Sequence, residues 1–153
     1  MPLVTQDALT GDPIVSFNFE LQIEGKLTGY FTEVSGLGSE TEVTEHKIVG
    51  QGDREAVRKV PGRLKWGDLT LKRGITANMD MWAWRQMIVD GQISSARSNG
   101  SIIMYDQAGT AVARWDFVAG WPSKVSGPTL ASDSSAVGVE EMTIVHEGIE
   151  RSL

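Results

Sequence analysis

The chain contains no cysteine among its 153 residues. That excludes a disulfide framework, thiolate chemistry and a cysteine zinc site, and with them a small stapled secreted domain. Histidine is scarce too, with only His46 and His146, each beside a glutamate. A metal centre would need both to converge with a third ligand, and nothing in their spacing requires it. Basic charge is short: 14 Lys+Arg against 20 Asp+Glu leave a net charge of −6, where duplex nucleic-acid binding needs a basic face. No run approaches the ~20 apolar residues of a membrane span. Met1 to Pro13 has neither the basic start nor the apolar stretch of a signal peptide, so synthesis in the cytoplasm is expected.

Enzymatic constellations are equally thin. No Gly-x-Ser-x-Gly elbow is present. The glycines at 36, 38, 50 and 52 match neither a phosphate loop nor a dinucleotide fingerprint. Glu140 and Glu141 are adjacent on a predicted strand and point to opposite faces, so they do not form a close carboxylate pair. Five tryptophans, at 66, 82, 84, 115 and 121, invite a stacking platform, but an acidic chain offers no electrostatic funnel for nucleic acid. Packing in the core and at interfaces is the expected use of these rings. No catalytic residue, metal ligand or cofactor is assigned.

What the chain does have is period-2 alternation. After an arm at 1–13, a single domain is expected over 14–150. Val15, Phe17, Phe19, Leu21 and Ile23 share one parity, and Ser16, Asn18, Glu20 and Gln22 the other, which predicts a strand with one buried face. Leu27 to Val34 returns as its partner and Thr41 to Val49 is a third strand. Gly50 to Gly62, rich in glycine and charge, reads as a loop, and Leu64 to Lys72 as a strand. Thr76 is expected to cap a helix from about Ala77 to Val89. On that helix Met81, Trp84 and Ile88 form one apolar stripe, with Trp82 off it. Ser101 to Tyr105 and Thr110 to Ala119 flank Asp106-Gln107-Ala108-Gly109, a hairpin signal. Gly127 to Ser135 is a loop and Ala136 to His146 the last long strand. The total is about seven strands and one helix.

Several of these pieces, in this order and spacing, resemble the inner-tube protein of contractile phage tails and contractile injection systems. They are Tyr30-Phe31-Thr32-Glu33-Val34-Ser35-Gly36-Leu37, Lys59-Val60-Pro61-Gly62, Leu69 to Gly74, the Trp82-Ala83-Trp84 helix, Trp115 to Lys124, and Glu140 to Gly148. The resemblance covers Phe17 to Gly148. It implies a mainly β fold, two packed antiparallel sheets forming a small barrel with one flanking α-helix. It implies a structural role without enzymatic activity: six copies form a ring, and rings stack into a hollow tube. The implied partners are other copies of the chain, a contractile sheath, baseplate and spike proteins, a tube terminator, and cargo in the lumen. The particle is a phage tail or an injection system, released by a machine or by lysis. Other readings are a type VI secretion tube protein, a monomeric small-ligand-binding β-barrel with Trp66 or Trp115 in its cavity, and a small hydrolase.

Three surfaces follow as expectations. Gly50 to Lys65 is a ring-stacking loop, its Arg54, Arg58 and Lys59 facing acidic residues such as Glu40 and Glu42 of the adjacent ring. Ser16, Asn18, Glu20 and Gln22 line a polar lumen, neutral to negative. Trp84 faces the domain while Trp82 lies nearer a subunit boundary.

Overall fold

The computed structural model describes residues 18–24, 26–50, 52, 54–128 and 138–153. Its strands are β1 (Asn18–Ile23), β2 (Leu27–Phe31), β3 (Glu33–Ser35), β4 (Ser39–Val49), β5 (Glu55–Trp66), β6 (Leu69–Gly74), β7 (Ser98–Tyr105), β8 (Ala111–Ser126), β9 (Val139–Val145) and β10 (Gly148–Arg151). Two helices, α1 (Asp80–Val89) and the short α2 (Ile93–Ala96), lie between β6 and β7. Among the described residues all strand pairs are antiparallel, in the order β2-β1-β7-β8-β9-β6-β3 with β10 added to β8, and β4 and β5 pair only with each other. The fold is mainly β, as expected, with two antiparallel layers.

The 16-residue strand β8 belongs to both layers. Its first part pairs with β7 and β10, and its last part, from Trp121, with β9. The bend falls at Ala119–Gly120, where Ala119 takes φ 52°. Glycine is required beside it, because a Cβ on Gly120 would sit 2.4 Å from the Phe117 ring. Leu21, Ile23, Ile102 and Phe117 enter the core from one layer; Leu69, Leu71, Met142 and Ile144 enter from the other. The alternation of β1 thus turns Leu21 and Ile23 inward as predicted. Trp84 and Met81 seal the core from α1, and the Trp84 indole Nε1 donates to the Ala96 carbonyl at 2.8 Å.

The β7–β8 turn forms where Asp106-Gln107-Ala108-Gly109 predicts it. Asp106 Oδ1 accepts from the Ala108 and Thr110 N–H groups, and Gly109 takes φ 81°. Five expectations need correction. Gly50 to Gly62 is mostly strand, the start of β5, paired along its length with β4. The Leu64 to Lys72 strand is interrupted at Gly67–Asp68. The Leu27 to Val34 strand is broken at Thr32, whose N–H donates to the Lys72 carbonyl. Helix α1 begins at Asp80, because residues 75–79 form a separate turn: Thr76 Oγ1 accepts from the Asn78 N–H and Asn78 Oδ1 from the Asp80 N–H. The chain beyond His146 adds β10, and α2 precedes β7.

β2 and β3 stand at the two ends of the strand order, yet only Thr32 separates them in the chain. At the far end of β3, Gly36 and Gly67 allow two backbones to meet. Gly36 takes φ 86°, and a Cβ there would lie 1.9 Å from the Asp68 carbonyl oxygen. Through this joint the β3–β6 ladder leads into β4–β5.

Candidate assembly surfaces

The β4–β5 hairpin is the first surface. Every residue of its two strands is exposed except the half-buried Trp66 at its root. Its register sets Val43, Glu45, Lys47 and Val49 beside Pro61, Lys59, Val57 and Glu55 on one face. Thr44, His46 and Ile48 lie beside Val60, Arg58 and Ala56 on the other. Between the Val43–Pro61 and Thr41–Leu64 pairs β5 carries one residue more than β4, a bulge that admits Pro61 and Gly62 into a strand. Arg54, Arg58, Lys59, Glu40 and Glu42 therefore share one hairpin. Opposite charges already meet within it: Glu45 stands across from Lys59, Glu40 across from Lys65, and Lys65 Nζ lies 3.0 Å from Glu42 Oε1. Being exposed, each such pair is worth only ~0.2–1 kcal/mol. Large apolar side chains alternate with these charges, among them Val49 (78% exposed) and Val43 (61%).

The second surface is the outer face of the β1–β7–β8 layer. Asn18 is exposed, Gln22 is half-buried, and Glu20 is buried; Ser16 lies outside the described residues. Glu20 is held by two donors, Gln22 Nε2 to Oε1 at 2.6 Å and the Tyr105 hydroxyl to Oε2 at 2.7 Å. That hydrogen bond, with burial and the Glu20 charge, pushes the Tyr105 pKa up to about 12. Across β7, Ser101 Oγ donates to Asp116 Oδ1 at 2.6 Å and Arg114 Nε donates to the same oxygen at 2.9 Å. Those two bonds, the serine's first, hold the Asp116 carboxyl below its ordinary value. The face is thus polar, and its side chains bond to one another.

The third surface is α1. Trp84 and Met81 point into the core, and Trp82, off the stripe, is half-buried. Its indole Nε1 donates to Glu140 Oε1 at 2.9 Å, while Glu140 Oε2 accepts from Arg73 Nε at 3.2 Å. Arg73 and Glu140 are buried, and Arg73 also donates through Nη2 to the Asn78 carbonyl and lies over the Phe31 ring. The sequence reading missed this network. Its only local signal is the glutamate at an inward parity of β9, in line with Met142 and Ile144.

His46 lies on the hairpin shaft, whereas His146 bonds through Nε2 to the Gly67 carbonyl at its root. Among the described residues no three potential metal ligands gather, and no helix is long and apolar enough to cross a membrane.

A two-layer β domain with one projecting hairpin is a shape that known proteins share. The family model of the T4-like virus tail tube protein gp19 matches residues 15–150. The chain belongs to that tail tube family. It is therefore a structural protein, a subunit of a tube. A chain of the PVC extracellular contractile injection system sheath–tube complex, in its extended state, superposes with a TM-score of 0.75 at 19% identity, covering 98% of this chain and 99% of that one. A chain of the anti-feeding prophage tube-terminating cap gives 0.71 at 20% identity, covering 99% and 95%. Hcp1 from Flavobacterium johnsoniae is more distant, with 0.53 at 12% identity, covering 88% and 94%. These likenesses are of fold. No curated protein matches by sequence.

Proposed function

We propose that this tail tube subunit forms six-membered rings that stack into the inner tube of a contractile injection particle. The carrying observation is the β4–β5 hairpin, two strands of 11 and 12 residues with almost no burial in their own chain. An isolated two-stranded hairpin is marginal in water, so one this long needs a partner surface. Ring closure removes strand edges, and the β2–Thr32–β3 link lets the strand order close on itself as a small barrel. Stacking is an open head-to-tail contact that needs a separate terminator. The hairpin, with Arg54, Arg58 and Lys59, is the stacking element; because Glu40 and Glu42 share that hairpin, contact between rings acts on a charge-balanced surface. The polar face bearing Asn18, Glu20 and Gln22 lines the lumen, where mutually bonded side chains leave little to grip cargo. Trp82 stands near the subunit boundary.

The sheath, baseplate and cap are the further partners, drawn from the setting of the superposed injection-system chains. The higher TM-scores of those chains favour this reading over a type VI secretion tube, for which a type six secretion system protein gives 0.59. The test is electron microscopy of the purified chain over a concentration series. Rings and tubes are expected, with tubes shortened when Arg54→Glu and Arg58→Glu are combined. A strict monomer at every concentration, with melting shifted by a small ligand, would refute the tube and favour the ligand-binding barrel. For the lumen, a bulky maleimide should label Asn18→Cys far more slowly in capped tubes than in free subunits; equal rates defeat that assignment.

A further inference from the structure

The β4–β5 hairpin joins the rest of the domain through a narrow neck, residues 36–38 and 67–68. Before the neck Ser35 pairs with Thr70; beyond it Ser39 pairs with Trp66. Within it the Gly67 N–H donates to the Gly38 carbonyl at 3.1 Å, and the Gly38 N–H to the Gly36 carbonyl at 2.8 Å. Those bonds tie the two chains of the neck to each other. The angle between hairpin and body is left to groups that touch the neck from outside. Leu37 packs on the edge of the core, a contact without direction. Among the described residues one side chain of the body hydrogen-bonds to the neck: His146, whose Nε2 lies 2.9 Å from the Gly67 carbonyl oxygen.

The body holds the imidazole in turn. The Gly148 N–H donates to Nδ1 at 3.2 Å, so the ring carries its proton on Nε2 and donates it to Gly67. Phe117 of β8 lies beside the ring, 6.0 Å between centroids. On the hairpin side stands Trp66, at 6.1 Å, the half-buried residue of β5. Its indole also borders Gly148, where a Cβ would lie 3.8 Å away. One histidine thus meets the β9–β10 turn, β8 and the root of the hairpin.

Direction matters for an arm of this length. At ~3.3 Å per residue its strands extend for about 36 Å, so a tilt of about 10° at the root carries the tip about 6 Å. Resting on the reading of the hairpin as the stacking element, we infer that His146 is a positioning residue: its imidazole fixes the direction in which the hairpin leaves the free subunit. An arm aimed before assembly spares the ordering cost at the moment of contact. If the correctly aimed fraction falls to about a tenth, the concentration needed for tubes rises about tenfold.

The cysteine-free chain allows a direct test. Spin labels are placed through Val49→Cys on the hairpin and Val89→Cys on α1, both exposed, and their separation is measured on dilute free subunits by double electron–electron resonance. His146→Phe keeps a ring and loses both bonds. His146→Asn keeps an acceptor for Gly148 alone, and His146→Gln returns a donor to Gly67. The parent and the glutamine variant should give one narrow distance; the phenylalanine and asparagine variants should give a broad or displaced one and need more protein to form tubes. An unchanged distance in both of those, or a glutamine variant as broad as the phenylalanine one, overturns the assignment. No substitution is needed for a second check: at mildly alkaline pH the imidazole nitrogen shifts of the unaltered chain should place the His146 proton on Nε2, and a proton on Nδ1 overturns the clasp. Both readings come from free subunits. Absence of tubes from the unaltered chain would instead overturn the stacked-ring reading and leave the measured hairpin direction standing.

Discussion

Removing the Glu140 carboxylate should be among the most damaging single changes in the domain. Glu140 is 6% exposed and Arg73 4%, so Glu140→Ala leaves a guanidinium buried with only the Asn78 carbonyl and the Phe31 ring beside it. It also strips the acceptor from the Trp82 indole. Breaking a buried pair from one side costs about 3–5 kcal/mol. At ~2–4 °C per kcal/mol for a chain of this size, the melting point should fall by about 6–20 °C. Urea unfolding of dilute subunits, followed by tryptophan fluorescence, measures the loss without the contribution of assembly. The double variant Arg73→Met with Glu140→Leu should recover most of it, because a buried ion pair and a packed apolar pair differ little in net stability. Trp82→Phe alone removes one hydrogen bond to a charged group, about 1.5–3 kcal/mol. A Glu140→Ala loss below about 1 kcal/mol, or a double variant as unstable as the single, would refute the argument that an orphaned cation drives the effect.

Gly120→Ala places a methyl 2.4 Å from the Phe117 ring and should cost about 1–3 kcal/mol in the same assay, with partial rescue by Phe117→Leu. Tyr105, raised to about 12 by its bond to Glu20, stabilises the fold fully below the ordinary tyrosine value of 10.0, and that stability is lost as pH rises through about 12. Glu20→Gln should bring the tyrosinate absorbance transition down toward 10.0; an unmoved transition would contradict the assigned cause.

The sequence by itself determined the parts that rest on local pattern. A strand with one buried face advertises it every second residue, and so Leu21 and Ile23 were legible as core while Asn18, Glu20 and Gln22 were legible as the opposite face. The Asp106–Gly109 turn and the Met81–Trp84 stripe were equally local, one set by side-chain-to-backbone bonds, the other by helical period. The order of motifs along the chain carried the family. Tertiary structure alone decided the rest. The first part of β5, from Glu55 to Gly62, escaped notice because a strand exposed on both faces has no buried parity to display, and its charges and glycine imitate a loop. The charge split between 40–45 and 54–65 became an internal pairing only once the β4–β5 register set Glu45 across from Lys59. Arg73 and Glu140 are 67 residues apart, and Glu20 and Tyr105 are 85; no local rule joins them. Burial of an ionisable group is a property of what surrounds it in space, and for these side chains the surroundings come from strands that meet only when the sheet is assembled.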